Sequence, residues 1–416
     1  MAEDSTSASA IMSSKQHIEG WEDIMNIPSI HMDYKTAVLR GIYSHGFETP
    51  SPIQKEAVIP IVNGRDLIAQ AQSGTGKTGA FLIGTMLRLG TYMNLPSPSM
   101  ETTTSTSSPH KMIIVLAPTR ELSRQIYAVA SSIGASIPNV RPLLLIGGSA
   151  LQEDIRAINE SQPTLIIGCP GRVFDIIKRR HINGRDVSTI VLDEADEMLS
   201  RGFKDQVYNI FQRLDEHVHI SLFSATMPPE LEELTTRIMR DPVEIRIKTE
   251  QLTLEGIKQY YVALTDENKF DTLKDLYGMF AVSQCIIYCN TTERVEQLYK
   301  NMLDDSFAVC RIHSKMPEDE RKQTYMDFKA GKERVLISTN ITARGIDVQQ
   351  VSVVVNYDMC DDIHVYLHRI GRSGRWGRKG VGINFITKRD IPTLRELEKY
   401  YNTTVEELPM NWSDDI

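Results

Sequence analysis

Short apolar runs recur along the chain. Each is followed by a polar turn and a longer segment with helical spacing. In the first half the runs are DLIAQ, KMIIVLAP, TLIIGC, TIVLDEAD and ISLFSAT. In the second half they are QCIIYCN, FAVCRIH, RVLIST, VSVVVNYD and GVGINFIT. Runs rich in Val and Ile, without polar alternation, suit strands buried on both faces. Their alternation with helices suits a parallel sheet. The pattern occurs twice, on either side of residues 243–256. The predicted class is therefore α/β, with two tandem domains joined by a short linker. Each domain is expected to be a mostly parallel sheet with helices on both faces. The expected boundaries are a disordered tail over 1–20, a first domain over 21–242, a linker over 243–256 and a second domain over 257–416. Within the first domain, residues 94–110 (NLPSPSMETTTSTSSPH) read as a flexible surface insertion, which costs a fold little.

The chain has 416 residues, 41% hydrophobic and 24% charged, which suits an ordinary globular protein with two or three cores. No apolar run approaches the roughly 18 residues that a membrane span needs, so no membrane partner is expected. The opening MAEDSTSASAIMSSKQ lacks the basic and apolar regions of a secretory signal. The net charge of −8 argues against non-specific coating of nucleic acid, yet leaves room for a local basic groove. Cys169, Cys285, Cys289, Cys310 and Cys360 have neither zinc spacing nor the density of a disulfide framework. They read as core residues of a reducing compartment, with Cys285 and Cys289 facing the same way along a strand.

The most informative stretch is DLIAQAQSGTGKTGAFLIGTMLRL. A strand ends near Ala69, the turn Gln72-Ser73-Gly74-Thr75-Gly76 follows, and Lys77-Thr78 opens a helix. Glycines let main-chain N–H groups converge on a phosphate, and the helix N-terminus adds its positive end. Lys77 would reach the outer phosphates and Thr78 would ligate Mg²⁺. Ala71 stands where this pattern normally begins with Gly. A second strand, TIVLDEADEML, ends in Asp193, Glu194, Asp196 and Glu197. A solvated loop is the plain reading, and it is kept for Glu197. Beside a phosphate loop, Asp193 reads as the Mg²⁺ ligand and Glu194 as the group that polarises the attacking water.

With these residues in place, the chain resembles a DEAD-box ATP-dependent RNA helicase of the eukaryotic initiation factor 4A subfamily. The resemblance covers about residues 33–416, with the family's motifs in order. It implies two RecA-like domains, ATP and Mg²⁺ as cofactors, and RNA as partner. GFETPSPIQ resembles the adenine element, implying Phe47 stacked on the base and Gln54 on its edge. For the upstream aromatic of that element, Trp21 and the position of Ser29 are the alternatives. AQSGTGKT implies nucleotide contacts from Ser73, Gly74, Thr75, Gly76, Lys77 and Thr78. ARGID adds Gly345 and Asp347. Ser224 and Thr226 of SAT, with Asp196 and His368, look like the coupling set. PTREL (Pro118, Thr119, Arg120), Gly147-Gly148 and PGR (Gly171, Arg172) resemble RNA-backbone contacts of the first domain. Asn290, Arg321 and Thr339 resemble those of the second. HRIGRSGRWGR implies that Arg372 and Arg375 reach the γ-phosphate.

The physical logic agrees with the resemblance. The first domain carries the phosphate loop and the water-activating carboxylate, and the second carries the arginine fingers. RNA that spans both domains would favour ATP binding, and ATP would favour RNA. The family reads sugar and phosphate rather than base edges, so little sequence preference is expected.

Several positions depart from the subfamily. Cys169 replaces a hydroxyl in the usual TPGR. His313-Ser314-Lys315-Met316 replaces HGDM. Glu318 stands ahead of Arg321 where glutamine is usual, with Lys315 as a partial offset, and Asn340 follows Ser338-Thr339 where aspartate is usual. The expectation is intact ATP chemistry with altered RNA coupling. Fragments such as EDIRAI, EGIKQYYV and ELPMNW resemble the exon-junction-type branch. That branch implies a nuclear, monomeric mRNA factor held open or closed by partner proteins. Cytoplasmic translation initiation is the alternative. A further alternative is an ATP-gated RNA clamp with little unwinding.

Overall fold

The computed structural model describes residues 17–71, 74–93, 111–200, 202–247, 257–280, 284–342, 351–373, 380–410 and 412. The chain divides into two compact units, Met1–Lys248 and Thr249–Ile416. The insertion 94–110 lies outside the described residues, as does all of the tail before His17.

The first unit is built on seven strands: β1 (Leu67–Gln70), β2 (Met112–Leu116), β3 (Pro142–Leu145), β4 (Leu165–Gly168), β5 (Val187–Asp193), β6 (His219–Ser224) and β7 (Val243–Arg246). All pairings are parallel, in the order β3-β4-β2-β5-β6-β1-β7. Apolar side chains leave both faces. Ile113 and Val115 of β2 join one core, and Ile114 and Leu116 join the other. This explains why the strands read as unbroken apolar runs.

The edge strands were less visible. β3 (PLLL) is largely half-exposed, and β7 (VEIR) mixes buried and exposed positions. Val243–Arg246 was expected to be linker. It instead pairs in register with Leu67–Gln70. Residues 17–20 also depart from the expected tail. Ile18 is buried and its N–H donates to the Lys55 carbonyl at 3.0 Å, while Glu19 pairs with Lys55 Nζ at 2.9 Å.

The second unit repeats the plan with β8 (Ile257–Ala263), β9 (Gln284–Tyr288), β10 (Cys310–Ile312), β11 (Val335–Ser338), β12 (Val351–Asn356), β13 (Gly380–Ile386) and β14 (Glu406–Glu407). Its order, β10-β11-β9-β12-β13-β8-β14, matches that of the first sheet strand for strand. The ten runs picked out above are all strands. β8 and β14 are additional here, as β3 and β7 are in the first sheet. Cys285 and Cys289 share one core with Ile287, and burial raises the pKa of both thiols. Burial also pushes Cys310 up to about 12 and Cys360 to about 11. Thiols so placed are inert core residues.

One pH dependence is built into the first sheet. His219, which opens β6, is half-buried, and its imidazole is pushed down from 6.5 to about 4. Burial is the main cause, and the cations Arg88 and Arg240 add to it. A histidine whose folded value is depressed is held neutral. Its contribution is present above about 6.5 and is lost as pH falls through 4. After discounting for solvent screening, about 1–2 kcal/mol should disappear over that window. Urea unfolding of His219→Gln should lack this part of the pH slope. An unchanged slope would remove His219 as its source.

Candidate nucleotide site and RNA-facing loops

The strand order sorts the motifs of the first unit. β5, β6 and β1 are neighbours, and their C-terminal ends carry DEAD, SAT and the phosphate loop. β3, β4 and β2 are neighbours on the other side. Their ends carry Gly147-Gly148, PGR and PTREL.

At the phosphate loop, the Ala71 N–H donates to the Ser224 carbonyl at 3.0 Å, tying the loop's start to SAT. Gly74 (φ +86°) and Gly76 (φ +97°) take left-handed conformations that disfavour a side chain. Lys77 opens the helix Lys77–Met93 with Thr78 and Thr75 close by in sequence, while Ser73 lies outside the described residues. Gln54 sits in the first turn of the helix Pro52–Val62. Its Oε1 accepts from Ser51 N at 2.8 Å, and its Nε2 donates to the Gly76 carbonyl at 3.1 Å. The amide expected on a base edge is thus engaged with the phosphate loop itself. Phe47 is half-buried and lies edge-on to His45 at 4.8 Å. Trp21, one alternative for the upstream aromatic, is fully buried in the core, and position 29 offers an exposed serine.

The four carboxylates at the end of β5 and just beyond it are all buried, including Glu197, so the solvated-loop reading fails for each of them. Lys77 Nζ lies 3.2 Å from Glu194 Oε1, with both side chains almost fully enclosed. Glu194 holds φ +50°, an uncommon conformation for a residue with a Cβ, and such strain gathers at functional sites. Asp193 Oδ1 accepts from the Glu194 N–H at 3.1 Å. Burial, then the Glu194 charge, pushes Asp193 up to about 7, against the pull of Lys77. Asp196 Oδ2 accepts from Thr226 Oγ1 at 2.7 Å, and its N–H donates to Ser224 Oγ at 3.3 Å. DEAD and SAT are therefore joined by two hydrogen bonds.

On the other loops, Thr119 Oγ1 caps the helix Arg120–Gly134, accepting from Leu122 N at 3.1 Å, and Pro118 before it is buried. A Cβ on Gly147 would lie 3.1 Å from Arg120 Nη2, so glycine leaves room for that guanidinium. Gly148 has φ +108° and Gly171 faces open space. Arg172 is not free. Its Nη1 forms an ion pair with Asp154 and its Nη2 donates to the Ser149 carbonyl at 2.8 Å. Asp154 was not singled out in the sequence; an acid in the helix after Gly147-Gly148 was the available signal. The Cys169 thiol lies 3.5 Å from Ser123 Oγ, and burial raises it to about 11.

In the second unit, Asn290 follows β9, Thr339 and Asn340 follow β11, and His368 lies on the helix Ile363–Ile370. Thr339 Oγ1 accepts from Ile341 N at 3.5 Å. Arg372 Nε donates to the His368 carbonyl at 3.2 Å, and both residues are buried. Arg321, expected on RNA, is buried at 6% exposure. Lys315, expected to offset the charge of Glu318 in part, forms an ion pair with Glu293. Arg375, Gly345 and Asp347 lie outside the described residues. The residue missed in this unit is Arg369. It is fully buried and donates to Asn290 Oδ1 and Asn340 Oδ1, each at 2.7 Å.

Comparison with known proteins decides the family. The DEAD/DEAH box helicase model matches residues 51–234, and the helicase conserved C-terminal domain matches 268–377. Eukaryotic initiation factor 4A of Caenorhabditis elegans is 45% identical over 409 residues, covering 98% of each chain. The chain belongs to the DEAD-box helicases. Eukaryotic initiation factor 4A-3 of Nicotiana plumbaginifolia is 47% identical over 386 residues, covering 92% of this chain and 94% of that one. Among solved structures, S. cerevisiae Dbp5 bound to RNA and ADP BeF3 superposes with a TM-score of 0.79 at 31% identity, covering 95% and 97% of the two chains. As a DEAD-box helicase, the protein is an ATP-dependent RNA helicase whose two parallel-sheet domains are of the RecA-like kind.

Proposed function

We propose that the protein hydrolyses ATP when RNA engages both units, and that it acts on mRNA. The observation that carries this reading is the buried Lys77–Glu194 pair at the end of the phosphate loop, joined through DEAD to SAT by the Thr226–Asp196 hydrogen bond. In this reading Lys77 turns to the outer phosphates of ATP, which frees Glu194 to take a proton from the attacking water. Arg372 and Arg375 approach the developing charge on the γ-phosphoryl group, an arrangement worth several kcal/mol in related enzymes. Asp196, Ser224 and Thr226 pass the state of the nucleotide to the RNA-facing loops. Pro118, Thr119, Arg120, Gly147, Gly148, Gly171, Arg172, Asn290 and Thr339 meet the RNA backbone. For Arg172 this requires exchange of Asp154 for a phosphate.

The residues also fit a divalent cation. Asp193 is a fully buried carboxylate pushed towards its neutral form, and Lys77, the compensating charge beside it among the described residues, is shared with Glu194. A hard cation beside Asp193 and the Thr78 hydroxyl would relieve that cost. When bound, Mg²⁺ supplies neutralisation of the β- and γ-phosphate oxygens.

Steady-state ATP hydrolysis with and without single-stranded RNA tests the proposal. Stimulation by RNA is expected, and turnover indifferent to RNA would overturn it. Strand separation measured beside RNA retention distinguishes an unwinder from an ATP-gated clamp.

In the cell, two readings have support. Relatives named initiation factor 4A favour translation initiation. The relative named 4A-3, with the fragments EDIRAI and EGIKQYYV, favours a nuclear exon-junction role. Recovery of the initiation scaffold without junction partners in a co-purification decides for the first, and the converse decides for the second.

A further inference from the structure

Two asparagines interrupt apolar runs, in VVVNYD at the C-terminal end of β12 and in GINFIT inside β13. Asn356 of β12 and Asn384 of β13 are register partners, and both are fully buried. An amide in such a place must be bonded at both ends. The bonds form one chain. Arg369 Nη1 donates to Asn356 Oδ1 at 3.1 Å. Asn356 Nδ2 donates to Asn384 Oδ1 at 2.8 Å. Asn384 Nδ2 donates to the Tyr260 carbonyl at 2.9 Å and to Tyr366 Oη at 3.2 Å. Tyr366 Oη donates to Gln259 Oε1 at 2.8 Å, and Gln259 Nε2 donates to Thr403 Oγ1 at 3.1 Å.

The direction of this chain is dictated at both ends. A guanidinium can only donate, and a main-chain carbonyl can only accept. Asn384 must therefore turn its Nδ2 to Tyr260 and its Oδ1 to Asn356. Asn356 must then turn its Oδ1 to Arg369. Every dipole points its negative end at the buried cation. Among the described residues, the other hydrogen-bond partners of Arg369 are the amides of Asn290 and Asn340 and the Asp358 carbonyl at 2.8 Å. The Tyr288 ring lies 5.2 Å from Cζ. All are neutral, so the aligned amides do the work that a carboxylate would do elsewhere.

We infer that Asn384 and Asn356 are positioning residues, which orient the guanidinium of Arg369 and through it hold the RNA-facing Asn290 and the neighbour of Thr339, Asn340. Arg369 is the point where the ends of β9, β11 and β12 meet the helix bearing His368. If its acceptor on β12 turns away, the loops after β9 and β11 lose their common anchor. The inference rests on the RNA-facing role proposed above for those loops.

The test uses the full chain and measures ATP hydrolysis against single-stranded RNA concentration. Asn384→Ala should raise the KM for RNA by about tenfold, the scale of a displaced contact group. Adding Asn356→Asp should restore it to within about twofold, because a carboxylate presents an acceptor to Arg369 in either orientation. Thr403→Val, at the far end of the chain, should leave it unchanged. If Asn384→Ala does not fold, Asn356→Ala carries the same expectation. A fall in melting temperature with no change in the KM for RNA would overturn the inference, leaving the amides as structural glue. So would failure of Asn356→Asp to rescue. Wild-type protein whose turnover ignores RNA, or Asn290→Ala with an unchanged KM for RNA, would instead fault the underlying RNA reading and the inference with it.

Discussion

Glu194→Gln is expected to lower RNA-stimulated ATP turnover by about 10³-fold while ATP binds at least as tightly as before. The two effects have one origin. Lys77 Nζ sits 3.2 Å from Glu194 Oε1, so the phosphates must compete with this carboxylate for the ammonium. The amide keeps the shape of the side chain and removes the competitor. It cannot accept the proton of the attacking water. Lys77 is not left uncompensated in the variant, because the Asp193 carboxylate acts on the same charge. Single-turnover hydrolysis beside a fluorescent-nucleotide titration separates the two parts. Turnover retained within tenfold would deny Glu194 the base role. Weaker ATP binding would show that the ion pair holds the site together more than it blocks it.

Gly184→Ala is expected to be the most damaging small substitution outside the nucleotide site, costing about 3 kcal/mol. A Cβ built there would lie 1.9 Å from the Arg213 carbonyl oxygen and 2.9 Å from its carbon. Both obstacles are main chain, so no rotamer change relieves them. The turn Gly184–Asp186 feeds directly into β5, and Arg213 follows the helix Lys204–Phe211. Any shift is therefore felt in the strand that carries Asp193. The unfolding transition of the first unit should drop by about 6–12 °C, with the second unit unchanged. A drop below 2 °C would mean that the two loops separate freely.

The central strands were legible because burial on both faces removes polar alternation, and TIVLD or SVVVN admits no other reading. Edge strands were not. β3 and β7 are partly exposed, and β14 is two residues long, so their patterns merge with loops. The catalytic groups were legible for another reason: phosphate and water chemistry demands Gly, Lys and carboxylates at fixed spacing. What the sequence could not show is which neighbour within the protein each group touches. Gln54 holds Gly76, Arg172 pairs with Asp154, and Lys315 pairs with Glu293. Asn356 and Asn384 left a signal, an amide inside an apolar run, that becomes chemical only once Arg369 is seen beside it.

The order in which strands sit also sets when each unit can be finished. β1 leaves the ribosome well before its partners, since Leu67 pairs with Ser221 on one side and with Val243 on the other. Likewise β8 waits for β13, with Ile257 against Gly380. Until those partners emerge, the earliest strand of each unit has bare edges. Parallel pairings between such distant segments form slowly, and half-made sheets aggregate. Nascent chains of this protein should thus depend on chaperones for most of the time each unit takes to be translated. A chain truncated just before Val243 should be recovered largely insoluble.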